Sequence, residues 1–130
     1  MSTDFADQHE PITDLFPQPA SPEGWAAHQL SAEQIRHFVE HGYVAGVQLM
    51  QDVQIEALRI ELTEMTDPGH EGHELFYEYH SNESDNPDTV LFHALGAWRV
   101  RRAFHDILWN PRFLVPAWSD FGGPVAFSKR

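Results

Sequence analysis

The chain contains no cysteine, so disulfides, thiolate nucleophiles and thiolate-bound metals are excluded outright. Basic residues are scarce. Eight Lys and Arg stand against 20 Asp and Glu, a formal charge of -12. Long-range attraction to a phosphate backbone or an anionic lipid surface is therefore opposed, and neither nucleic acid nor a membrane is expected as a partner. No apolar run approaches the length of a membrane span, and the first ten residues are acidic with no apolar centre, which together predict a soluble, cytoplasmic protein. A Gly-x-Ser-x-Gly turn, a phosphate-cradling glycine loop and an internal repeat are all missing. What remains is 130 residues, 42% of them hydrophobic. That is enough for one domain that buries about two thirds of its unfolded surface.

Residues 1–24 combine Asp4, Asp7, Glu10 and Asp14 with Pro11, Pro17, Pro19 and Pro22, a composition that resists regular structure and reads as a disordered acidic arm. Leu15, Phe16 and Trp25 are its candidate pins to the body formed by residues 25–130. The clearest local pattern follows, in residues 30–47. Ser31 and Gln34 make an N-terminal capping box, Leu30 can staple against Ile35, and Ile35, Phe38 and Val39 form an apolar face. Gly42 stands where a left-handed C-terminal residue is wanted, and residues 43–47 read as a strand. Asp52 then caps a second helix whose core stripe is Ile55, Leu58, Leu62 and Met65, ended by Asp67-Pro68-Gly69.

Residues 69–89 are rich in His, Glu and Asp around a strand-like 75–79, and residues 90–93 suggest another strand. Ala97, Val100, Phe104, Ile107 and Leu108 describe a third helix with Arg99, Arg101 and Arg102 mostly outside it. Asn110 with Pro111 starts a fourth, which Pro116 should bend or stop. Gly122-Gly123 turns the chain into a strand at residues 124–127. The aromatics Trp98, Phe104, Trp109, Phe113, Trp118 and Phe121 read as packing residues.

These pieces resemble the opening of the phytanoyl-CoA dioxygenase family, in which Leu-Thr-x-Glu-Gln-Ile-x-x-Phe-x-x-x-Gly-Tyr precedes a strand and a second helix. Leu30, Glu33, Gln34, Ile35, Phe38, Gly42 and Tyr43 match that stretch. Asn110-Pro111-Arg112-Phe113-Leu114 and Phe121-Gly122-Gly123-Pro124-Val125 are similar to the family's helix, glycine turn and first barrel strand, so the likeness covers residues 30–127. It implies an α+β fold, a helical scaffold with the opening strands of a double-stranded β-helix, or jelly roll. The implied parent activity is Fe(II)- and 2-oxoglutarate-dependent hydroxylation of a small or lipid-like substrate, with release of succinate and carbon dioxide. Iron is held in such enzymes by two histidines and one carboxylate, the first pair as His-x-Asp or His-x-Glu.

None of the nine histidines has an acidic residue two places later, and the family's iron motif lies beyond its first barrel strand. Lys129 does not align with the family's 2-oxoglutarate anchor. The expectation is therefore a partial domain with no catalytic, cofactor-binding or metal residue assigned, inactive alone. Fe(II), 2-oxoglutarate and a small-molecule substrate belong to the complete family domain. The rival reading is a non-catalytic acidic binding or interaction module on the same scaffold.

Two histidine groups bear on metal binding. His37 and His41, four apart on one helix, suit a shared metal, but His41 at the helix end also suits the dipole. His70-Glu71-Gly72-His73-Glu74 lacks the metalloprotease spacing, leaving His70, His73 and His80 as adventitious ligands. Finally, an uncovered strand edge at residues 124–127 would favour self-association.

Overall fold

A computed structural model describes residues 3–119 of the chain. It is mixed helix and sheet, with an α+β order: α1 (Pro22–Ala26), α2 (Ala32–His41), α3 (Asp52–Met65), β1 (Glu78–His80), β2 (His93–Leu95), α4 (Ala97–Val100), α5 (Arg102–Asp106) and α6 (Pro111–Ser119). Short 3-10 turns occupy His73–Leu75 and Ile107–Trp109. Among the described residues the sheet has two antiparallel strands, pairing Glu78 with Leu95, Tyr79 with Ala94 and His80 with His93. The expected glycine turn and strand at residues 122–127, Phe121 and the terminal Lys129 and Arg130 lie outside the described residues.

Helix α2 forms where its caps require. Ser31 Oγ accepts from Gln34 N at 3.1 Å, Gln34 Oε1 accepts from Ser31 N at 2.9 Å, and Gly42 ends the helix at φ 80°. Yet α2 buries none of its residues, and Val39, expected on its packed face, is 77% exposed. The strand expected at residues 43–47 is absent. Gly46 turns the backbone to φ 76° there, and the stretch pairs with no strand among the described residues.

Helix α3 packs by most of the stripe its hydrophobicity suggests, with Gln54 and Glu61 added to it and Leu62 left out. Gln54 and Met65 are buried and Ile55, Leu58 and Glu61 partly so, whereas Leu62 is 41% exposed. The spacing 54, 58, 61, 65 follows a helix face, with Leu62 turned about 100° from Glu61. Polar residues occupy that face because they meet backbone groups. Gln54 Nε2 donates to Leu15 O at 2.7 Å, and the Glu61 carboxylate accepts from Ala103 N at 2.9 Å and Phe104 N at 3.3 Å. The helix begins after Gln51, whose N–H donates to Gln54 Oε1 at 2.9 Å, so Asp52 is its first helical residue rather than its cap.

Glu61 also explains why the expected third helix is two. Arg101 is extended, at φ -128° and ψ 131°, between α4 and α5, and the free N–H groups that the break creates at the start of α5 are capped by that distant carboxylate. Arg99 and Arg101, expected outside, have side chains only 19% and 16% exposed. Asn110 is buried and starts α6: its Oδ1 accepts from Arg112 N at 3.0 Å and its Nδ2 donates to Leu49 O at 2.9 Å. The helix runs on through Pro116 to Ser119 rather than stopping there, while Phe113 and Trp118, expected to pack, are half exposed.

Residues 3–21 form no helix or strand, as their composition predicts, but they are tied to the body along their length. Phe5 N donates to Arg99 O at 2.9 Å, and the Arg99 guanidinium grips both oxygens of Asp4. That pairing first, with the Ala6 N–H behind it, holds the Asp4 carboxyl below its ordinary range. Ile12 and Thr13 are bound by Asp106, and Phe16, one of the candidate pins, is 1% exposed. The boundary expected between residues 24 and 25 falls inside α1. Phe16, Leu30, Met65, Val100, Ala103 and Val115 form the apolar core, with His105, Asp106, Asn110 and Gln54 buried among it.

Candidate functional site

Two clusters gather titratable side chains. The first is buried. Asp106 is wholly buried, and its carboxylate accepts from Ile12 N at 2.8 Å, Thr13 N at 2.7 Å and Thr13 Oγ1 at 2.6 Å. His105 Nδ1 lies 2.9 Å from Asp106 Oδ1, and its Nε2 lies 3.1 Å from Gln8 O. Burial disfavours the Asp106 charge, but the hydrogen bonds from Ile12, Thr13 and His105 outweigh it and hold the carboxyl below its ordinary range. Every lone pair is aimed at the molecule's own backbone or side chains, and the cluster opens onto no reactant. It is a clamp on the amino-terminal segment.

The second cluster sits on the hairpin made by β1 and β2. Alternation along β1 puts Glu78 and His80 on one face and Tyr79 on the other. Tyr79 faces the body, donating from its hydroxyl to Met65 O at 2.7 Å and packing against His70, His73, Phe76 and Phe92. Burial there, then the charge of Asp67, pushes the phenol up. On the opposite face His80 stands across from His93, with ring centroids 5.8 Å apart. His80 Nε2 is 3.1 Å from Glu78 and 3.9 Å from Glu83, and His93 presents one nitrogen 3.3 Å from Glu83 and the other 3.8 Å from Glu78.

His70 and His73 therefore pack in the aromatic layer around Tyr79, and His80, grouped with them from sequence, lies on the other face of the hairpin. His37 and His41 do approach, their rings stacked at 4.2 Å, but His41 Nδ1 is taken by His37 O at 3.1 Å. Among the described residues, the one grouping of three or more metal-capable side chains that comes together is that of Glu78, His80 and Glu83.

The hairpin supplies imidazole and carboxylate donors but does not fit an iron and 2-oxoglutarate pair. The keto acid's far carboxylate needs a cation, and residues 76–96 contain no Lys or Arg. Glu78 and Glu83 pair with histidines alone among the described residues. Among the described residues the better-formed openings between elements are open grooves of about 250 to 430 Å³, and the one lined by Thr3, Glu61, Glu64, Glu71, Arg101 and Arg102 is largely polar. No helix among the described residues is long and apolar enough to cross a membrane.

No protein-family model matches the chain, and no curated protein matches it.

Proposed function

We propose that this chain is the amino-terminal portion of a phytanoyl-CoA dioxygenase-like protein, acting in the cytoplasm. Its parent activity is Fe(II)- and 2-oxoglutarate-dependent hydroxylation of a small or lipid-like substrate. The observation that carries this reading is α2. The Ser31–Gln34 box, the glycine stop at Gly42 and the following helix α3 fall on the residues that carry the resemblance. The start of α6 behind Asn110-Pro111 adds to it. In this reading the helices buttress one end of a double-stranded β-helix. The chain does not catalyse alone, because none of its histidines begins a His-x-Asp or His-x-Glu pair.

Incubation of the purified chain with Fe(II), ascorbate and 2-oxoglutarate should release succinate at the rate of a protein-free control. Iron-dependent release above that control, lost on substituting any single histidine, would refute the claim of inactivity. A second reading, a non-catalytic acidic binding module, is favoured by the open His and Glu face of the hairpin. The two separate in a search of the coding sequence downstream for an in-frame or shifted His-x-Asp: its presence favours the oxygenase, its absence the module.

A further inference from the structure

We propose that Glu78, His80, Glu83 and His93 form a binding site for one four-coordinate divalent metal ion of the zinc class. The inference stands apart from the oxygenase reading, whose iron motif is a different one.

The donor spacing is the first ground. A tetrahedral ion with bonds of about 2.0 to 2.1 Å places its ligand atoms about 3.3 to 3.4 Å from one another. Here the ligand atoms of Glu78, His80 and Glu83 all lie within 4.8 Å of one another, with His80 Nε2 3.1 Å from Glu78 and 3.9 Å from Glu83, and His93 Nε2 lies 3.8 Å from Glu78. An ion between them draws the widest pair in by up to about 1.5 Å, through rotation of side chains that are 36 to 49% exposed.

The second ground is an atom with nothing to do. His93 Nε2 is closed off from solvent and has no hydrogen bond, with the nearest carboxylate oxygen at 3.8 Å. A buried imidazole nitrogen without a partner carries a desolvation cost that a metal bond removes.

The third ground is how the ligands are placed. His80 and His93 are held opposite each other by strand register. Glu83, beyond the end of β1, is brought back by its own N–H, which donates to Leu91 O at 2.9 Å, and by Asn82 Oδ1, which accepts from Ser84 N and Leu91 N at 2.9 Å each. Two carboxylates and two neutral imidazoles carry a charge that one divalent cation cancels. Imidazole donors favour zinc, cobalt or nickel over calcium or magnesium, which take oxygen.

The test uses the full chain freed of metal with chelator and titrated with Co²⁺, whose four-coordinate form absorbs visibly, followed by displacement with Zn²⁺. One equivalent of Co²⁺ should bind, excess Mg²⁺ should not compete, and His80→Gln and His93→Gln should each weaken binding about tenfold or more. His37→Gln should bind as the native chain does. In the native chain, Co²⁺ should broaden the amide resonances of Tyr79, Glu83 and Ala94 before those of α2, a measurement independent of whether any variant folds. Absence of the four-coordinate spectrum overturns the proposal. So does equal weakening by His37→Gln, or first broadening at α2 or at His70 and His73.

Discussion

Histidine meets carboxylate in two regions of this molecule, at the Asp106 clamp and on the hairpin, and the two are built in opposite ways. Asp106 is surrounded by donors from Ile12, Thr13 and His105, all of them this chain's own groups. Among the described residues, Glu78 and Glu83 pair only with the half-exposed His80 and His93. Residue type is shared, so the difference lies in supply. Where the backbone satisfies a carboxylate the pair becomes structure, and where it does not the pair keeps its capacity for a ligand.

The largest effect that would break this contrast is at the clamp. Asp106→Ala should cost about 3 to 5 kcal/mol, since it strands buried donors from two residues of the amino-terminal segment. Urea unfolding would measure it, and a loss below about 1 kcal/mol would show that the segment is held by other means. The same carboxylate governs the acid side. Because its folded value is lowered, its stabilisation is complete above the ordinary carboxylate range and is lost as the pH falls through the lowered value. Melting temperatures of the native chain should therefore drop below about pH 4, and those of Asp106→Asn should change less over the same interval.

Next in size is Glu61→Ala, which uncaps α5 and should cost about 1 to 2 kcal/mol. Leu62→Ala, at a half-exposed position beside it, should cost less, about 1 kcal/mol or under. An apolar-stripe reading of α3 expects the reverse order, so paired denaturant melts decide which face is packed. The smallest effect is at the hairpin: metal-free His80→Gln should stay within about 0.5 kcal/mol of the native chain. A larger loss without metal would mean that the hairpin face is structural like the clamp.

How far the fold was legible follows from the distance over which each element is decided. Helix α2 was, because Ser31, Gln34 and Gly42 settle it within a dozen residues. The start of α6 was legible for the same reason. The break at Arg101 was not, since the carboxylate that makes it affordable, Glu61, comes from another helix. The docking of residues 3–21 was legible only at Phe16, whose size marked it as a pin; nothing in the composition of the segment pointed to Asp106. The hairpin cluster escaped a search for His-x-Asp because its carboxylate precedes its histidine, as Glu78-x-His80. The second histidine joins only through strand register. Alternation of Glu78 and His80 on a strand-like stretch was the signal available.

The clamp also sets an order of events during synthesis. Ile12 precedes Asp106 by 94 residues, so at about 5 to 20 residues per second the amino-terminal segment waits roughly 5 to 20 s before its anchor is made. Over that interval Phe16 has no core to enter, since Val100, Ala103 and Val115 are made late as well. The first part of the chain to be synthesised is thus among the last to reach its place. A nascent chain stalled before Asp106 would present that segment to proteases and chaperones, while a released chain would hide it.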